Sequence, residues 1–304
     1  MRIVTSGAPY LDIDAYGGCI AYAELLQAQG FEAQAASSAP LNDSISRTVR
    51  SWEAPLMRDY IPSPQDTFTL IDISDPEYFD GIVIPGREES VIDHHVGFER
   101  YWQERIGSKA RIEFIGAACT LVYEQWQSAG LLERMSQLSA RLLVCGILDN
   151  TLNFGAAVST RRDAAAYESL LQKAALPEDW TAQYFLECEE SIAADVVIAA
   201  ENDTKTIVFR TYEQPIRVGQ LTLWDAGKIL GKDGQSIREE LASRDAHRLL
   251  NLISVSERKS YFMAGNPRVQ RWLSQLLDVE FDGTVAVADR LWLRKEIIRT
   301  DGVV

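Results

Sequence analysis

The segment "TFTLIDISDPEYFDGIVIPGREESVIDHH" (residues 67–95) contains three short apolar runs, and acidic residues or histidines directly follow the first and the last of them. The runs at 67–74, 81–86 and 90–95 are rich in β-branched residues and bounded by Pro, Gly and charged residues, so each predicts a β-strand. Further candidate elements are strands at 2–6 and 111–116 and helices at 17–30, 117–128, 133–147 and 161–175. Strands that alternate with helices favour a doubly wound, mainly parallel sheet.

The second half of the chain has its own strand-like and helical runs. Candidate strands lie at 204–212 and 216–225, and candidate helices lie around 235–248 and 267–277. We therefore predict a second, smaller α/β domain over residues 197–304, which follows a first domain over residues 1–190. The stretch "AGKILGKDG" (226–234) is predicted to be a solvated turn, because its glycine spacing differs from that of a phosphate-binding loop.

Composition excludes several classes of function. The 304-residue chain carries a formal net charge of −14, which disfavours indiscriminate binding to nucleic acid because that binding depends on clustered Lys and Arg. The chain starts without the basic and apolar regions of a secretory signal, and no stretch approaches the ~20 apolar residues that span a bilayer. The four cysteines are scattered, which is typical of a reducing compartment. We therefore expect a cytoplasmic protein with neither a membrane nor a nucleic-acid partner.

Acidic residues and histidines gather at the predicted ends of strands and helices in the first half. The members of this set are Asp12, Asp14, Asp72, Asp75, Asp93, His94, His95 and Asp149. Parallel strands bring their carboxyl ends to one edge of a sheet, where clustered carboxylates repel one another unless a cation neutralises them. A mixture of carboxylate and imidazole ligands suits Mn²⁺, Fe²⁺, Co²⁺ or Zn²⁺ better than Ca²⁺.

The order and spacing of these motifs resemble the DHH phosphoesterase superfamily. The similar branch contains the manganese-dependent (family II) inorganic pyrophosphatases, the short-chain exopolyphosphatases and the prune proteins. The motifs that carry the resemblance are "TSGAPYLDIDA" (5–15), "LIDISD" (70–75), "VIDHH" (91–95), "GILDNTLNFGAAVSTRRD" (146–163), "NDTKT" (202–206) and "LWLRKEIIR" (291–299). The resemblance therefore spans both predicted domains.

The resemblance implies a role for each motif residue. The implied metal ligands of a dinuclear site are Asp12, Asp14, Asp72, His94 and Asp149. His95 would face the substrate phosphate, and Asp93 would orient the two histidines. From the second domain, Lys205, Arg294 and Lys295 would bind the anionic substrate. The implied cofactor is a pair of Mn²⁺ ions, with Mg²⁺ or Co²⁺ as alternatives.

Two positions depart from the pattern of this branch. The pyrophosphatases have a histidine four positions before the first aspartate of motif I, whereas this chain has Ala8 there. Exopolyphosphatase and prune relatives also lack that histidine. In motif II the run "DISD" replaces the usual D-H-N-type run, so Asp75 is predicted either to bind metal or to cap the turn before Pro76.

The activity implied is hydrolysis of a phosphoanhydride in short polyphosphate or pyrophosphate by a metal-activated water. Two alternatives stay open. Ala8 favours a catalytically weakened protein that binds phosphate or metal in a regulatory role, although the intact ligand set opposes this hypothesis. A phosphodiesterase or nucleotide phosphatase would need a base-stacking pocket, for which Trp224, Tyr261 and Phe262 are candidates. The expected partner is a small anionic phosphate compound, and the sequence leaves both a monomer and a homodimer open.

Overall fold

The structure is a computed structural model that describes residues 1–244 and 247–302. The chain forms two compact units: Met1–Phe154 together with Val158–Trp180, and Gly155–Ala157 together with the residues from Thr181 onwards. The units therefore divide after Trp180. The boundary predicted from the sequence lies between residues 190 and 197. Among the described residues, no helix has the length and apolar character needed to cross a membrane.

The first unit contains a six-stranded sheet in which all neighbouring strands are parallel. Its strands are β1 (Arg2–Thr5), β2 (Ala33–Ala36), β3 (Leu56–Met57), β4 (Thr67–Ile71), β5 (Glu88–Asp93) and β6 (Ala110–Ile112). The strand order is β3-β2-β1-β4-β5-β6, so the order reverses between β1 and β4. This is the order of a doubly wound sheet, and the fold class predicted from the sequence is confirmed.

Helices accompany this sheet. They are α1 (Ile13–Ala28), α2 (Arg47–Ser51), α3 (Glu99–Ile106), α4 (Ala118–Ser128), α5 (Gln137–Asn150) and α6 (Arg161–Ala174). Two glycines let α1 pack closely against its neighbours. A Cβ at Gly17 would lie 2.9 Å from the carbonyl oxygen of Leu142 in α5, and a Cβ at Gly18 would lie 2.7 Å from Ile71 of β4. Small residues at these positions therefore bring the start of α1 close to the sheet and α5.

The apolar core of the first unit explains why its strands read as continuous hydrophobic runs. Phe68 packs with Ile3 and Ile82, while Leu70 packs with Val91 and Trp102. Strands buried in this way are typical of a parallel sheet covered by helices. The core therefore fixes the strand ends, from which the acidic side chains project.

Two local predictions differ from the structure, and one strand of the first sheet, β2, was not predicted. Residues 81–86 form turns instead of a strand, because Pro85 and Gly86 interrupt the apolar run, although Ile82 still packs into the core. The sequence "AQAA" of β2 gives no strand signal because alanine favours helices, yet it is a strand of the sheet. Residues 226–234 lie in a helix instead of the predicted turn.

The second unit is built on a six-stranded mixed sheet. Its strands are β7 (Thr204–Ile207), β8 (Ile216–Leu223), β9 (Arg248–Ser254), β10 (Lys259–Met263), β11 (Phe281–Asp282) and β12 (Val285–Ala288). The strand order is β11-β12-β10-β9-β8-β7, with β8 and β9 parallel and the other neighbours antiparallel. Its helices are α7 (Trp180–Ala194), α8 (Val196–Asn202), α9 (Ala226–Arg244), α10 (Pro267–Leu277) and α11 (Arg294–Asp301).

Candidate metal centre

The topology of the first unit gathers the predicted motif residues at one edge of its sheet. Asp12 ends the loop after β1, Asp72 directly follows β4, and Asp93 is the last residue of β5. The strands β1, β4 and β5 are consecutive neighbours, so their carboxyl ends lie side by side. Ligands of doubly wound sheets bind at this edge, where the strand order reverses.

Asp72 holds an unusual backbone conformation. Its φ is +60°, and its backbone N–H donates to the carbonyl oxygen of Ile92 at 2.9 Å. Aspartate tolerates the left-handed region better than most residues, so the sequence favours this turn out of β4. The carboxylate Oδ1 lies 3.1 Å from Nε2 of His94 and 3.7 Å from Nδ1 of His95. Asp72, His94 and His95 each offer one ligand atom within 4.8 Å of the others, so together they can hold a metal ion.

Asp93 orients both histidines through hydrogen bonds. Its Oδ1 accepts from the backbone N–H of His94 at 2.7 Å and of His95 at 3.2 Å, and it lies 2.9 Å from His95 Nδ1. Burial alone would raise the pKa of Asp93, but the charge of His95 and these hydrogen bonds hold it below its usual value. A proton on His95 Nδ1 leaves Nε2 to face outward from a side chain that is 45% exposed.

A backbone carbonyl group fixes the orientation of the buried ring of His94. Its Nδ1 lies 3.2 Å from the carbonyl oxygen of Ile115, an acceptor that requires the proton to be on Nδ1. Its Nε2 then presents a lone pair towards Asp72 Oδ1 at 3.1 Å. Two acceptors at this distance need a proton or a cation between them. A histidine that donates one ring N–H to a carbonyl is the usual arrangement of a metal ligand.

Asp14 is fully buried beneath this group. Its two carboxylate oxygens accept from the backbone N–H groups of Ala118 and Cys119 at the start of α4, both at 2.7 Å. Its Oδ2 also lies 3.8 Å from His94 Nε2. Burial and then the charge of Asp12 raise the pKa of Asp14 to about 7. A cation at this edge would offset the cost of holding the two carboxylates close together.

Asp12 and Asp149 occupy helix ends next to this group. Asp12 is the N-cap of α1, and its Oδ1 accepts from the backbone N–H of Ala15 at 2.9 Å. Asp149 lies in the last turn of α5, three residues after Gly146 and thus on a similar face of that helix. A Cβ at Gly146 would come within 3.1 Å of Asp14 Oδ1, so this face of α5 approaches the buried carboxylate.

Other acidic residues of the motifs have capping roles. Asp75 accepts from the backbone N–H of Glu77 at 3.0 Å and caps a 3-10 turn, as one of its two predicted roles requires. Thr160 and Asp163 form a capping box at the start of α6. Ala8 is exposed, and its backbone N–H donates to the carbonyl oxygen of Tyr78 at 2.8 Å.

Asp80 is a structural residue that no sequence motif indicates. Its buried carboxylate accepts from the hydroxyl of Ser37 at 2.6 Å and from the backbone N–H and hydroxyl of Ser38 at 2.8 and 2.7 Å. Its own backbone N–H donates to Ser6 at 3.0 Å. Asp80 therefore ties together the loops that follow β1, β2 and β4. Its partners are distant in sequence, so no local pattern indicates the role.

The second unit places the predicted substrate-binding residues at two neighbouring elements. The guanidinium of Arg294 is buried, and it donates to the carboxylate and carbonyl oxygens of Asp203, both at 2.6 Å, and to the carbonyl oxygen of Val218 at 3.1 Å. Lys205 is exposed on β7, where it pairs with Val218 of β8, and Lys295 is half-buried in the first turn of α11. The buried ion pair thus brings the two motifs of this unit together.

Of the candidate stacking residues, Phe262 is fully buried in the core of the second unit. Tyr261 is half-buried and donates its hydroxyl to Glu257 at 2.9 Å, and the half-buried ring of Trp224 stacks on Phe185. The three side chains therefore have separate packing partners. This arrangement gives no support to a base-binding pocket.

Two solved structures resemble this chain over nearly its whole length. One is the crystal structure of the "Methanococcus jannaschii putative family II inorganic pyrophosphatase", with a TM-score of 0.73, 15% identity and 99% of both chains covered. The other is an "exopolyphosphatase-related protein from Bacteroides Fragilis", with a TM-score of 0.53, 15% identity, and 98% of this chain and 89% of that chain covered. The likeness shows a shared fold. No protein-family model and no curated protein matches the chain.

Proposed function

We propose that this protein is a metal-dependent phosphohydrolase that cleaves phosphoanhydride bonds in short polyphosphate or pyrophosphate. The observation that carries the proposal is the group of Asp72, His94 and His95, which lies at the carboxyl ends of β4 and β5, next to the point where the strand order of the sheet reverses. The two structures with a similar fold are described as a "putative family II inorganic pyrophosphatase" and an "exopolyphosphatase-related protein", which supports phosphate chemistry.

The residues at this edge fit a divalent cation. His94 presents Nε2 to Asp72 while its Nδ1 faces a carbonyl oxygen, and the buried Asp14 lies next to the same imidazole. Carboxylates and imidazoles together suit Mn²⁺, with Mg²⁺ or Co²⁺ as alternatives. We propose that two ions are held by the set predicted from the sequence, Asp12, Asp14, Asp72, His94 and Asp149. Such ions lower the pKa of a bound water and neutralise charge on a phosphoanhydride.

His95 and Asp93 would act on the substrate side of the centre. Because Asp93 holds Nδ1 of His95, the ring cannot turn freely and Nε2 keeps one direction. A protonated Nε2 would donate to a phosphate oxygen and favour the charge that builds up during cleavage. Asp93 accepts three hydrogen bonds from the two histidines, so it would position both rings without touching the substrate.

The cations of the second unit would reduce the negative charge of the substrate. Lys205 and Lys295 are candidates for direct contact, since Lys205 is exposed and Lys295 is half-buried in the first turn of a helix. A lysine in the first turn of a helix is unfavourable beside the positive end of the helix dipole, and a bound anion would offset that cost. Arg294 already binds Asp203, so we propose that it chiefly holds these two motifs together.

The first test is phosphate release by the purified protein with Mn²⁺ from pyrophosphate, tripolyphosphate and a nucleotide. We expect release from one of the first two, and we expect Asp149→Ala to lower that release by more than about a hundredfold and to weaken Mn²⁺ binding. The control is Asp289→Ala, which removes an aspartate whose side chain is 89% exposed in the second unit. Full activity in Asp149→Ala would contradict the two-metal site. If no phosphate is released from any substrate while Mn²⁺ still binds, the result would favour the regulatory binding protein.

The departure at motif I provides a second test. Ala8 is exposed at the same sheet edge, so Ala8→His would add an imidazole without removing a core contact. We expect tighter Mn²⁺ binding and faster pyrophosphate hydrolysis, each by about tenfold, because one added ligand supplies on the order of 1–2 kcal/mol. Ala8→Gln is the control, since it adds similar bulk without an imidazole. An unchanged Mn²⁺ affinity in Ala8→His would show that this position does not face the metals.

A further inference from the structure

Two exposed arginines lie at the same edge of the first sheet as the candidate centre. Arg50 lies in α2, and Arg58 directly follows β3. Because β2 and β3 lie beside β1 on the side away from β4, the loops at their carboxyl ends flank the loop that carries Asp12. None of the motifs that indicate the metal centre includes these arginines.

Backbone carbonyl groups hold both guanidinium groups in place. Arg50 donates from Nε to Ile45 at 2.8 Å and from Nη2 to Asn42 at 2.9 Å. Arg58 donates from Nη2 to the carbonyl oxygen of Ser38 at 3.2 Å and to that of Ala39. A guanidinium has five N–H donors, so each arginine keeps donors for another acceptor after these contacts. The carbonyl contacts thus preorganise two exposed cations.

The loop that anchors these arginines is bonded directly to the residues on either side of the first predicted ligand. Leu11 donates its backbone N–H to Pro40 at 2.8 Å and accepts from Asn42 at 2.9 Å, while Ile13 donates its backbone N–H to the hydroxyl of Ser44 at 2.8 Å. The loop that holds both guanidinium groups is therefore tied to the backbone on either side of Asp12.

The two arginines differ from other arginines of the first unit in their ion pairing. Across residues 1–244 and 247–302, no carboxylate lies within 4.0 Å of Arg50 or Arg58. By contrast, Arg111 and Arg162 of the same unit both bind Glu124. In a chain with a net charge of −14, two exposed and fixed guanidinium groups without a carboxylate partner favour an anionic ligand.

We propose that Arg50 and Arg58 form a subsite for the distal phosphates of a linear polyphosphate whose end is cleaved at the metal centre. This subsite rests on the proposed function and specifies its substrate. Pyrophosphate has no phosphate beyond the two that flank its scissile bond, so it cannot occupy the subsite. Chains of three or more phosphates would therefore bind more tightly than pyrophosphate, since a guanidinium makes paired, charge-assisted hydrogen bonds with phosphate oxygens.

The test compares Arg50→Gln/Arg58→Gln with the unaltered protein on pyrophosphate and tripolyphosphate, in kinetics and in calorimetric binding. We expect the KM and Kd for tripolyphosphate to rise about tenfold, while those for pyrophosphate change by less than about twofold. The matched control is Arg100→Gln/Arg105→Gln, which removes the same charge from α3, where the Arg100 side chain is 92% exposed. Arg50→Lys/Arg58→Lys retains the charge without the guanidinium, and it should restore tripolyphosphate binding only in part.

The outcomes separate the subsite from the proposed function. Equal losses on both substrates, or the same loss in the control pair, would overturn the subsite while leaving the hydrolase intact. Tight tripolyphosphate binding that depends on the two arginines, with no phosphate release from any substrate, would support the subsite and reject the hydrolase. Absence of tripolyphosphate binding to the unaltered protein would reject the subsite.

Discussion

Replacing Asp72 by Asn is expected to lower phosphate release by more than about a hundredfold. Asn has nearly the same shape and also tolerates the φ of +60° at this position, so the turn out of β4 should survive. The substitution removes the charge that faces His94 Nε2 at 3.1 Å. The loss should therefore come from the metal centre and not from the fold.

Thermal unfolding of the same variant gives an independent readout. Without metal, Asp72→Asn should be at least as stable as the unaltered protein, because it relieves repulsion within the group that includes Asp14. With Mn²⁺ at 100 times the Kd of the unaltered protein, that protein should gain about 2.7 kcal/mol, whereas the variant should gain little. The measurement is the Tm shift caused by Mn²⁺ in each protein.

Asp75→Asn is the matched control for this prediction. It removes the same charge three residues later, and asparagine caps a turn about as well as aspartate. We expect its activity and its response to Mn²⁺ to stay within about twofold of the unaltered protein. If Asp75→Asn loses as much activity as Asp72→Asn, the assignment of Asp72 as a ligand and of Asp75 as a cap is wrong.

Local patterns identified β1, β4, β5 and β6 of the first sheet, because these strands are short runs rich in apolar and β-branched residues. The same reasoning missed β2, since its four residues include three alanines and its burial comes from neighbours distant in sequence. It also predicted a strand at 81–86, where Ile82 is buried in a turn. Apolar character reveals burial, whereas the backbone conformation also depends on the packing around it.

The candidate site likewise contains residues that local motifs indicate and a residue that they do not. The resemblance implied that Asp72 and His94 bind metal while His95 faces the substrate, and in the structure one ligand atom of each of these three side chains lies within 4.8 Å of the others. Asp80 could not be found in this way, because its partners at Ser6 and in the loop after β2 are distant in sequence. The predicted metal set places Asp149 as a ligand, and this role stays a prediction that Asp149→Ala tests.

Replacing Arg294 by Ala is expected to destabilise the second unit by about 3 kcal/mol. The sequence grouped Arg294 with Lys295 as an Arg-Lys pair for substrate. In the structure Arg294 is buried and bonded to Asp203 and to the carbonyl oxygen of Val218, so its loss removes three hydrogen bonds from a charged donor. Thermal unfolding without metal or substrate measures this effect directly.

Lys295→Ala tests substrate binding by Lys295 separately from the structural role of Arg294. Lys295 is only half-buried in the first turn of α11, so its replacement should leave the unfolding temperature nearly unchanged. The KM of the Lys295→Ala variant for the phosphate substrate should rise by about tenfold, because one charge-assisted contact is lost. Arg294→Ala should instead lower the unfolding temperature, and Arg294→Ala/Asp203→Ala should regain part of it, because the carboxylate that faced the guanidinium is then also removed. If Arg294→Ala keeps its stability and changes only KM, Arg294 contacts substrate as the resemblance implied, and the buried pair with Asp203 contributes little to the fold.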